Sequence, residues 1–472
     1  MNYDEVLEYI HEKEDRGIVP GLDNIEKLLS LLQNPEQRLP AIHIAGTNGK
    51  GSIMAYVETV LRLLGLKTGR YISPAIFDYR DRWIIDGNIP SREYVADVFT
   101  RLAPFVTEAE SILPPGPTSF EIETAAAFMM YEDSGCDVNL IECGMGGRLD
   151  ATNVFISTPV VVLAKISMDH MQFLGDTVFD IAREKLGIVK EGDTVVSYPQ
   201  DAEVMDFIRR YLVENFENVK LVEPDTSELE IVKEDLSGSS FIYKGVKYEI
   251  GLLGRHQIYN AITAIETVNA FVHFINSMND DIMYVEEAET GAGVTGVNGS
   301  EWSFGKGYSD CVRKTDMCMD GLTRFIVAGL AKTVWKGRLE KINDAPPFYI
   351  DGAHNTDAWL TLADNLERYF TDKRKVFIIG VLKDKEYQQM VDILAPYMDY
   401  AVTVTTVNNK RALSGNILAE LIREKGVSAE SAADYEGAVK RAVEMADKDS
   451  VIIACGSLSF TGDITRVVKK HS

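Results

Sequence analysis

The chain has few cysteines and no long hydrophobic run. Its 472 residues include five cysteines, which are scattered and never form a Cys-x-x-Cys pair. This pattern indicates a reducing compartment and argues against a zinc site. No apolar run approaches the length of a membrane span, and the acidic N-terminal segment lacks the apolar core of a signal peptide. We therefore expect a cytoplasmic protein that does not associate with membranes.

Positive charge is also scarce. The formal net charge of -24 disfavours a nucleic-acid partner, because a phosphate backbone needs a basic footprint. The net charge does not exclude small anionic ligands, since a local group of Lys and Arg can create a positive potential on a protein that is negative as a whole. The composition is that of a globular protein, and the length predicts two or three domains.

Short β-branched runs alternate with helical periodicity along most of the chain, which predicts α/β architecture with mainly parallel sheets. We expect a P-loop-type ATPase domain over residues 1–277, carrying an appended antiparallel meander over 227–250. Residues 278–335 form an interdomain segment, whose Gly- and Ser-rich part, 278–322, predicts a surface insertion. Residues 336–472 predict a second, smaller Rossmann-like domain.

The segment HIAGTNGKGS at 43–52 has the physical parts of a phosphate-binding loop. It departs twice from the common P-loop pattern, because Ile44 and Gly51 replace the usual Gly and Ser/Thr. Glycines still allow backbone N–H groups to converge on an anion, and Lys50 adds positive charge. A buried strand precedes the loop and an amphipathic helix follows it, which aims a helix N-terminus at the loop. The alternative is an ordinary strand-to-helix turn.

Polar residues follow three other predicted strands, where ligands of open parallel sheets bind. Glu142 ends one strand and could bind Mg²⁺, although it could also pair with Arg148. His170 follows the next strand, where a structural role is equally open. In the second domain, Asp351 could bind a ribose hydroxyl, and Arg338 could reach phosphates or pair with a neighbouring Glu.

A set of motifs in fixed order resembles the folylpolyglutamate synthase and dihydrofolate synthase family of the Mur ligase superfamily, over nearly the whole chain. The motifs are GTNGKGS (46–52), ISP (72–74), ECGMGGRLDATN (142–153), DHMQFLGDT (169–177), EKLGIVK (184–190), LLGRHQIYNA (252–261), WKGRLE (335–340), DGAHN (351–355) and GSLSFTGD (456–463). In three places the chain departs from the family's pattern: Ala75-Ile76 replaces His-Leu, Asp81 replaces Glu, and Thr356 replaces Pro.

The resemblance implies a role for each matching residue. Nucleotide contacts are implied for Gly46, Thr47, Asn48, Gly49, Lys50, Gly51, Ser52, His256, Gln257, Asn260, Arg338 and Asp351. Magnesium ligands are implied for Ser73, Glu142 and His170. Contacts on the folate side are implied for Phe120, Asp150 and Arg82, and contacts with the incoming glutamate for His354 and Ser457. The catalytic set comprises Lys50, Lys185, His170 and Arg338, with Lys185 carbamylated so that it presents a carboxylate; an ordinary helix-surface lysine is the alternative.

The reaction implied is ATP-dependent amide formation, in which a folate carboxylate forms an acyl phosphate that L-glutamate then displaces. The acceptor, tetrahydrofolate alone or also dihydropteroate, stays open. A Mur-type peptidoglycan ligase is the alternative enzyme. A nucleotide-binding regulatory protein without catalysis would require disrupted metal and phosphate residues, but Lys50, Glu142, His170 and Lys185 are all present. A small-molecule kinase would explain the loop but not the motifs of the second domain. The resemblance favours a monomer.

Overall fold

The structure is a computed structural model. It describes residues 1–17, 19–282, 318–407 and 410–471, together with a ribbon formed by residues 294–295 and 301–302. The chain forms two compact units. The first comprises Met1–Ser73, Arg80–Glu228 and Tyr259–Lys332, and the second comprises Pro74–Tyr79, Leu229–Ile258 and Thr333–Ser472.

The first unit is an α/β unit. Its helices are α1 (Tyr3–Glu14), α2 (Asp23–Leu31), α3 (Lys50–Leu63), α4 (Arg92–Ile112), α5 (Ser119–Ser134), α6 (Met171–Leu174), α7 (Val178–Leu186), α8 (Ala202–Asn215), α9 (Arg255–Ile282, whose first turn belongs to the second unit) and α10 (Cys318–Lys332). Its strands are β1 (Ala41–Ala45), β2 (Thr68–Tyr71), β3 (Trp83–Ile85), β4 (Val138–Glu142), β5 (Val160–Leu163), β6 (Thr194–Ser197) and β7 (Lys220–Val222).

The seven strands form one sheet in the order β3-β2-β4-β1-β5-β6-β7. All neighbours pair in parallel except β2 and β3, which are antiparallel. The central strands β1, β4 and β5 are buried along their whole length. Ile44 pairs with Glu142 and Ala45 with Leu163. The loops that follow these three strands therefore emerge at one edge of the sheet.

Local sequence signals start the helices around this sheet. Thr118 and Glu121 form a capping box at the start of α5, and Thr177 and Asp180 form another at the start of α7. In each box, side chains accept from N–H groups that have no acceptor within the helix. Gly49 is the N-cap of α3 in a left-handed conformation, which a glycine adopts without a Cβ penalty.

The second unit contains a small sheet and a larger one. The antiparallel strands β8 (Leu229–Asp235), β9 (Gly238–Tyr243) and β10 (Val246–Ile250) form the small sheet. The ribbon noted above pairs β11 (Val294–Thr295) with β12 (Glu301–Trp302) in the stretch between α9 and α10. The larger sheet has the order β13-β14-β18-β15-β16-β17 and is parallel except for the β13–β14 pair. Its strands are β13 (Glu340–Asp344), β14 (Pro347–Ile350), β15 (Arg374–Ile379), β16 (Tyr400–Thr403), β17 (Ala429–Ser431) and β18 (Ser450–Cys455).

Helices cover the larger sheet in two buried clusters. They are α11 (Thr356–Tyr369), α12 (Tyr387–Leu394), α13 (Gly415–Glu424), α14 (Tyr435–Met445) and α15 (Leu458–His471). Trp359 and Phe377 belong to one cluster, and Phe348 and Phe460 belong to the other. Short 3-10 helices occur at Pro35–Arg38, Tyr79–Arg82, Thr226–Glu228 and Ala395–Tyr397.

The predicted fold class is confirmed, since both units are built on mainly parallel sheets. The meander differs from expectation, because it groups with the second unit and not with residues 1–277. The reason is local packing: Leu253, just after β10, lies in the cluster with Trp359, and the N–H of Gly254 donates to the hydroxyl of Tyr369.

The predicted insertion at 278–322 is described only at its ends and in the ribbon, because α9 continues to Ile282 and α10 begins at Cys318. The remaining residues of the insertion lie outside the described part of the chain. Within the described parts, no helix has both the length and the apolar character needed to cross a bilayer.

A glycine on α10 lets this helix approach α3, the helix that carries the loop at 46–49. A Cβ on Gly329 would stand 2.5 Å from Val60 Cγ2 and 3.0 Å from Val60 Cα. We predict that Gly329→Val destabilises the protein by about 1–3 kcal/mol, because overpacking forces the helices apart. Thermal unfolding measures the effect. Ala331→Val, at an exposed position of the same helix, is the control for the β-branched residue, and an equal loss of stability in both variants would contradict the prediction.

Candidate active site

The loop between β1 and α3 passes close to two neighbouring elements. A Cβ on Gly46 would stand 2.5 Å from Ala164 Cβ, just after β5, and a Cβ on Gly49 would stand 2.6 Å from Asn260 Oδ1 on α9. Gly49 also has a φ of 89°, which favours glycine. The loop therefore requires glycine at both positions, and Asn260 lies beside it.

Two of the loop's backbone donors are used within the protein. The N–H groups of Thr47 and Asn48 both donate to the carbonyl of Lys165, at 2.8 Å and 3.2 Å. The hydroxyl of Thr47 donates to Ser167 O at 2.9 Å and accepts the N–H of Ser167 at 3.1 Å. The expectation that successive loop N–H groups converge on an anion is therefore wrong for these two residues. They hold the loop to the segment after β5.

The first turn of α3 places a helix N-terminus at the loop. The first hydrogen bond of the helix joins Ile53 N–H to Gly49 O at 3.0 Å, so the N–H groups of Lys50, Gly51 and Ser52 precede the regular helical pattern. Ser52 is buried, with 2% of its surface exposed. A helix N-terminus of this kind favours phosphate.

Two lysine ammonium groups meet at one carbonyl oxygen of the loop. Lys50 Nζ and Lys185 Nζ each donate to Gly46 O at 3.0 Å. Lys50 Nζ also lies 3.5 Å from Glu142 Oε1. Burial, together with the nearby charge of Lys50, lowers the pKa of Lys185 to about 7. Lys185 is thus a buried lysine and not the helix-surface lysine considered as the alternative, and the carboxylates of Asp169 and Asp150 favour its charged form.

Glu142 does not form the ion pair with Arg148 that was the alternative to magnesium binding. Arg148 pairs with Glu184, through Nε at 3.0 Å and an Nη at 2.9 Å, whereas Glu142 faces Lys50. Glu142 is nearly buried, with 7% of its surface exposed. A buried carboxylate beside a phosphate loop suits a hard cation.

The other two predicted magnesium ligands follow strands of the same sheet. Ser73 comes after β2 and is half-buried, and His170 comes after β5 with a left-handed backbone, φ 51°. His170 Nε2 lies 3.9 Å from Asp169 Oδ2. Among the described residues, no three His, Cys, Asp or Glu side chains converge on one metal position. One carboxylate with a hydroxyl and an imidazole fits Mg²⁺ that is shared with nucleotide phosphates, because Mg²⁺ usually keeps few protein ligands.

The loop after β4 is folded around Asp150. Its carboxylate accepts the N–H of Met145 at 2.8 Å, the N–H of Thr152 at 3.0 Å and the hydroxyl of Thr152 at 2.6 Å. Burial raises the pKa of Asp150, although these hydrogen bonds oppose the rise. Both carboxylate oxygens thus bind groups of the loop itself, and a contact between Asp150 and a pterin stays a prediction.

The hydroxyl of Thr152 continues this network into the core. Because it donates to Asp150, it accepts from His43 Nε2, which lies 2.8 Å away. Cys143 Sγ lies 3.2 Å from the same nitrogen. Burial lowers the pKa of His43 to about 3, so the imidazole is neutral. The network joins β1 to the residue after Glu142.

The predicted folate-side residues Phe120 and Arg82 are both held by neighbours in the first unit. The ring of Phe120 stacks on Tyr71 with centroids 6.0 Å apart. A Cβ on Gly144 would stand 2.6 Å from Phe120 Cζ, so this glycine leaves room for the ring. Arg82 pairs with the buried Glu123 at 2.8 Å.

The predicted residues of the second unit follow β14 and β18, which are adjacent parallel strands. Asp351 accepts the N–H of Leu339 and the N–H of Ala353, both at 2.8 Å, so it ties the loop that carries Arg338 to the end of β14. Burial raises the pKa of Asp351, and the positive charge of Arg338 opposes the rise. The described residues contain no Arg338–Glu340 ion pair, and Glu340 instead accepts the N–H of Gly337 at 2.7 Å.

His354 and Ser457 lie at the same strand ends. His354 Nδ1 donates to Gly352 O at 2.8 Å. Ser457 comes after β18 and is 4% exposed. At the start of α9, Gln257 is buried and its Nε2 lies 3.1 Å from His256 Nε2.

Sequence reasoning missed several residues that hold these groups. They are Lys165 and Ser167, which bond the loop; Thr152 and His43, which bond each other next to β4; and Glu123, which pairs with Arg82. Lys165 and Ser167 directly follow a predicted strand, and this position could have identified them from the sequence. The others are recognisable only from tertiary contacts.

Two family models match the chain. The Mur ligase middle domain matches residues 91–268, and the Mur ligase glutamate ligase domain matches residues 337–458. The first match lies mainly in the first unit, with the small sheet, and the second lies in the second unit. Each unit therefore contains a recognised module.

Several known proteins are similar over most of the chain. A dihydrofolate synthase/folylpolyglutamate synthase of Bacillus subtilis (strain 168) is 29% identical, covering 99% of this chain and 99% of the relative. A protein of the same name from Mycobacterium tuberculosis is 32% identical, covering 85% of this chain and 77% of the relative. The structure of Mycobacterium tuberculosis folylpolyglutamate synthase complexed with ADP and AMPPCP matches with a TM-score of 0.80 at 28% identity, covering 98% of this chain and 97% of that one.

The hydroxyl of Thr152 can be removed to test the hydrogen-bond network of Asp150, Thr152 and His43. Thr152→Val keeps the shape of the side chain but leaves Asp150 and His43 without their shared partner in a buried region. We predict a loss of about 1–3 kcal/mol in the free energy of unfolding, since buried polar groups lose a hydrogen bond. Denaturant unfolding measures it. Thr107→Val, at an exposed position on α4, is the control, and equal stability of the Thr152 variant and the wild type would contradict the network.

Proposed function

The chain belongs to the folylpolyglutamate synthase/dihydrofolate synthase family of Mur ligases, and we propose that it uses ATP to join L-glutamate to a folate through an acyl phosphate. Relatives with this name match nearly the whole chain, and they support ATP-dependent ligation of glutamate. The alternative of a Mur-type peptidoglycan ligase is set aside, because the similar proteins are named for folate substrates.

The observation that carries the proposal is the convergence of Lys50 and Lys185 on the Gly46 carbonyl, beside Glu142. The ammonium group of Lys50 and a helix N-terminus favour a polyphosphate. A site of this kind explains ATP use, and it also argues against a regulatory protein that has lost its phosphate-binding residues.

The reaction needs ATP because a carboxylate is a poor electrophile. A carboxylate oxygen of the folate attacks the γ-phosphorus, the bond to the β-phosphate oxygen breaks, and ADP leaves. The amine of L-glutamate then attacks the acyl carbon, a C–N bond forms, and the C–O bond breaks as inorganic phosphate departs. The amine releases a proton. Catalysis rests on positioning and on charge neutralisation.

The charged side chains act on the phosphates. Lys50, at the start of α3, contacts the β- and γ-phosphates, and Arg338 stabilises the charge that develops during transfer. Bound Mg²⁺ would neutralise phosphate charge, and Ser73, Glu142 and His170 are the residues that would hold it. The remaining nucleotide contacts come from the loop residues Gly46, Thr47, Asn48, Gly49, Gly51 and Ser52, and from His256, Gln257, Asn260 and Asp351.

The two substrates bind through other predicted residues. Phe120, Asp150 and Arg82 contact the folate, and His354 and Ser457 contact the incoming glutamate. Tetrahydrofolate is the acceptor we propose, with dihydropteroate as a second one. We further propose a cytoplasmic monomer.

Lys185 is the candidate for carbamylation. A neutral amine can attack the carbon of dissolved CO₂, forming an N–C bond and losing a proton to give a carbamate. With a pKa of about 7, roughly half of the Lys185 amines are neutral at pH 7, whereas an ordinary lysine is almost fully protonated. Carbamylation would replace the positive charge of Lys185 with a negative one. This would remove the repulsion between Lys185 and Lys50 and would provide carboxylate oxygens that can bind a cation.

We predict that Lys185 becomes carbamylated in bicarbonate buffer. The measurement is ¹³C NMR with ¹³C-bicarbonate, in which a carbamate resonance should appear and should weaken as the pH falls below about 7. Lys185→Met should abolish the resonance. Lys190→Met is the matched control, since Lys190 is another partly buried lysine with a lowered pKa, and it bonds Asn153 instead. A resonance that survives in Lys185→Met would refute the assignment.

We predict that the protein adds one glutamate to tetrahydrofolate in each catalytic cycle. Purified protein is incubated with ATP, Mg²⁺ and L-glutamate, tetrahydrofolate and dihydropteroate are offered separately, and products are read by mass spectrometry. Addition of one glutamate to both acceptors means a bifunctional enzyme, and addition to tetrahydrofolate alone means a polyglutamate synthase. ATP consumption with neither product would contradict the folate assignment.

In the same assay, Arg338→Ala should reduce turnover by about a hundredfold or more while unfolding stays near that of the wild type, because a charge that stabilises the transition state is lost. Arg411→Ala is the control, since this exposed arginine of the second unit pairs with Asp384. Near-normal turnover of Arg338→Ala would remove Arg338 from the catalytic set.

A further inference from the structure

One face of α11 contacts the turn that leads into α9. Asn365, Arg368 and Tyr369 are spaced i, i+3 and i+4, so they lie on the same side of the helix. The turn comprises Gly254 to Gln257, and both segments belong to the second unit. His256 and Gln257, the residues proposed to contact the nucleotide, are part of this turn.

Tyr369 and Arg368 act on the first two residues of the turn, Arg368 through the carboxylate of Glu234. The N–H of Gly254 donates to the Tyr369 hydroxyl at 3.0 Å. Gly254 has a φ of 103°, so its conformation is one that L-residues rarely adopt and that needs support. Glu234, from β8, pairs with Arg255 at 2.6 Å and with Arg368 at 3.5 Å. The first residue of α9 is thereby connected to α11 through one carboxylate.

Asn365 lies under the middle of the turn. It is 2% exposed, and in the described part of the chain its Oδ1 has no hydrogen-bond partner. A Cβ on Gly254 would stand 2.7 Å from Asn365 Oδ1 and 2.7 Å from His256 Nδ1, so the amide oxygen and the imidazole adjoin the same point. A buried acceptor of this kind needs a donor.

The tautomer of His256 supplies that donor. Gln257 Nε2 lies 3.1 Å from His256 Nε2, and an amide nitrogen only donates, so His256 Nε2 accepts. In the neutral ring the proton is then on Nδ1, the nitrogen on the side of Asn365. The amide oxygen and this N–H are complementary.

We propose that Asn365 and Tyr369 are positioning residues for nucleotide binding, which act through the turn at 254–257. Asn365 Oδ1 accepts from His256 Nδ1–H through one bridging water and fixes the ring and its tautomer. Tyr369 fixes the backbone of Gly254. The inference rests on the proposed function, because it assumes that His256 and Gln257 contact the nucleotide.

The test is ADP affinity, measured by calorimetry on the full-length protein. Asn365→Leu and Tyr369→Phe should each weaken ADP binding by about threefold to tenfold, the equivalent of one hydrogen bond. Asn365→Asp retains an acceptor and should restore most of the affinity. In steady-state assays the KM for ATP should rise while kcat changes little. Leu360→Ala, at an exposed position of the same helix, is the control.

His256→Ala separates the two proposals. If it weakens ADP binding while Asn365→Leu and Tyr369→Phe bind as the wild type does, the positioning inference is wrong and the nucleotide assignment stands. If His256→Ala binds ADP normally, the nucleotide assignment of His256 fails and the inference falls with it.

A spectroscopic measurement covers the case in which Asn365→Leu does not fold. The ¹⁵N shifts of the His256 ring in the wild type report the tautomer directly. A proton on Nδ1 is expected. A proton on Nε2 would overturn the inference, because Asn365 would then face an acceptor.

Discussion

The carbonyl oxygen of Gly46 accepts from both Lys50 and Lys185, and this contact joins the start of α3 to α7 at the phosphate loop. Two ammonium groups on one acceptor repel each other, and burial increases the cost because water cannot screen them. The lowered pKa of Lys185 is the response to that cost. A polyphosphate bound at the start of α3, or a carbamate on Lys185, would relieve the repulsion. The two lysines therefore suit the site to an anion.

The fold supports this site by placing rigid strand ends side by side. The parallel strands β1, β4 and β5 bring the loop, Glu142 and the segment before His170 to one edge. Hydrogen bonds from Thr47 and Asn48 hold the loop to Lys165, and the Thr152 network holds the residue after Glu142. The second unit uses the same principle, because Asp351 fixes the loop of Arg338 at the end of β14. In both units the carboxyl ends of parallel strands position charged groups.

The sequence predicted the parts that depend on local pattern. The strand, loop and helix from β1 to α3 follow from an apolar run, glycines and helical periodicity, and the strand ends at Glu142 and Asp351 follow from the same reasoning. Contacts between distant residues were not predictable in this way. Lys185 and Gly46 are 139 positions apart, and nothing near either residue indicates the other. The meander packs with the second unit through Leu253, although the Mur ligase middle-domain model at 91–268 includes it; its alternation predicts a sheet but not the surface on which that sheet packs.

The most direct test of the account is the fate of the acceptor's carboxylate oxygen. The folate substrate is labelled with ¹⁸O in both oxygens of the reacting carboxylate, and inorganic phosphate is collected during turnover with ATP and L-glutamate. An acyl phosphate carries one of these oxygens to phosphorus, so each phosphate released should contain one ¹⁸O. Phosphate without label, formed at the same rate as the amide product, would show that the carboxylate never attacks ATP and would contradict the mechanism.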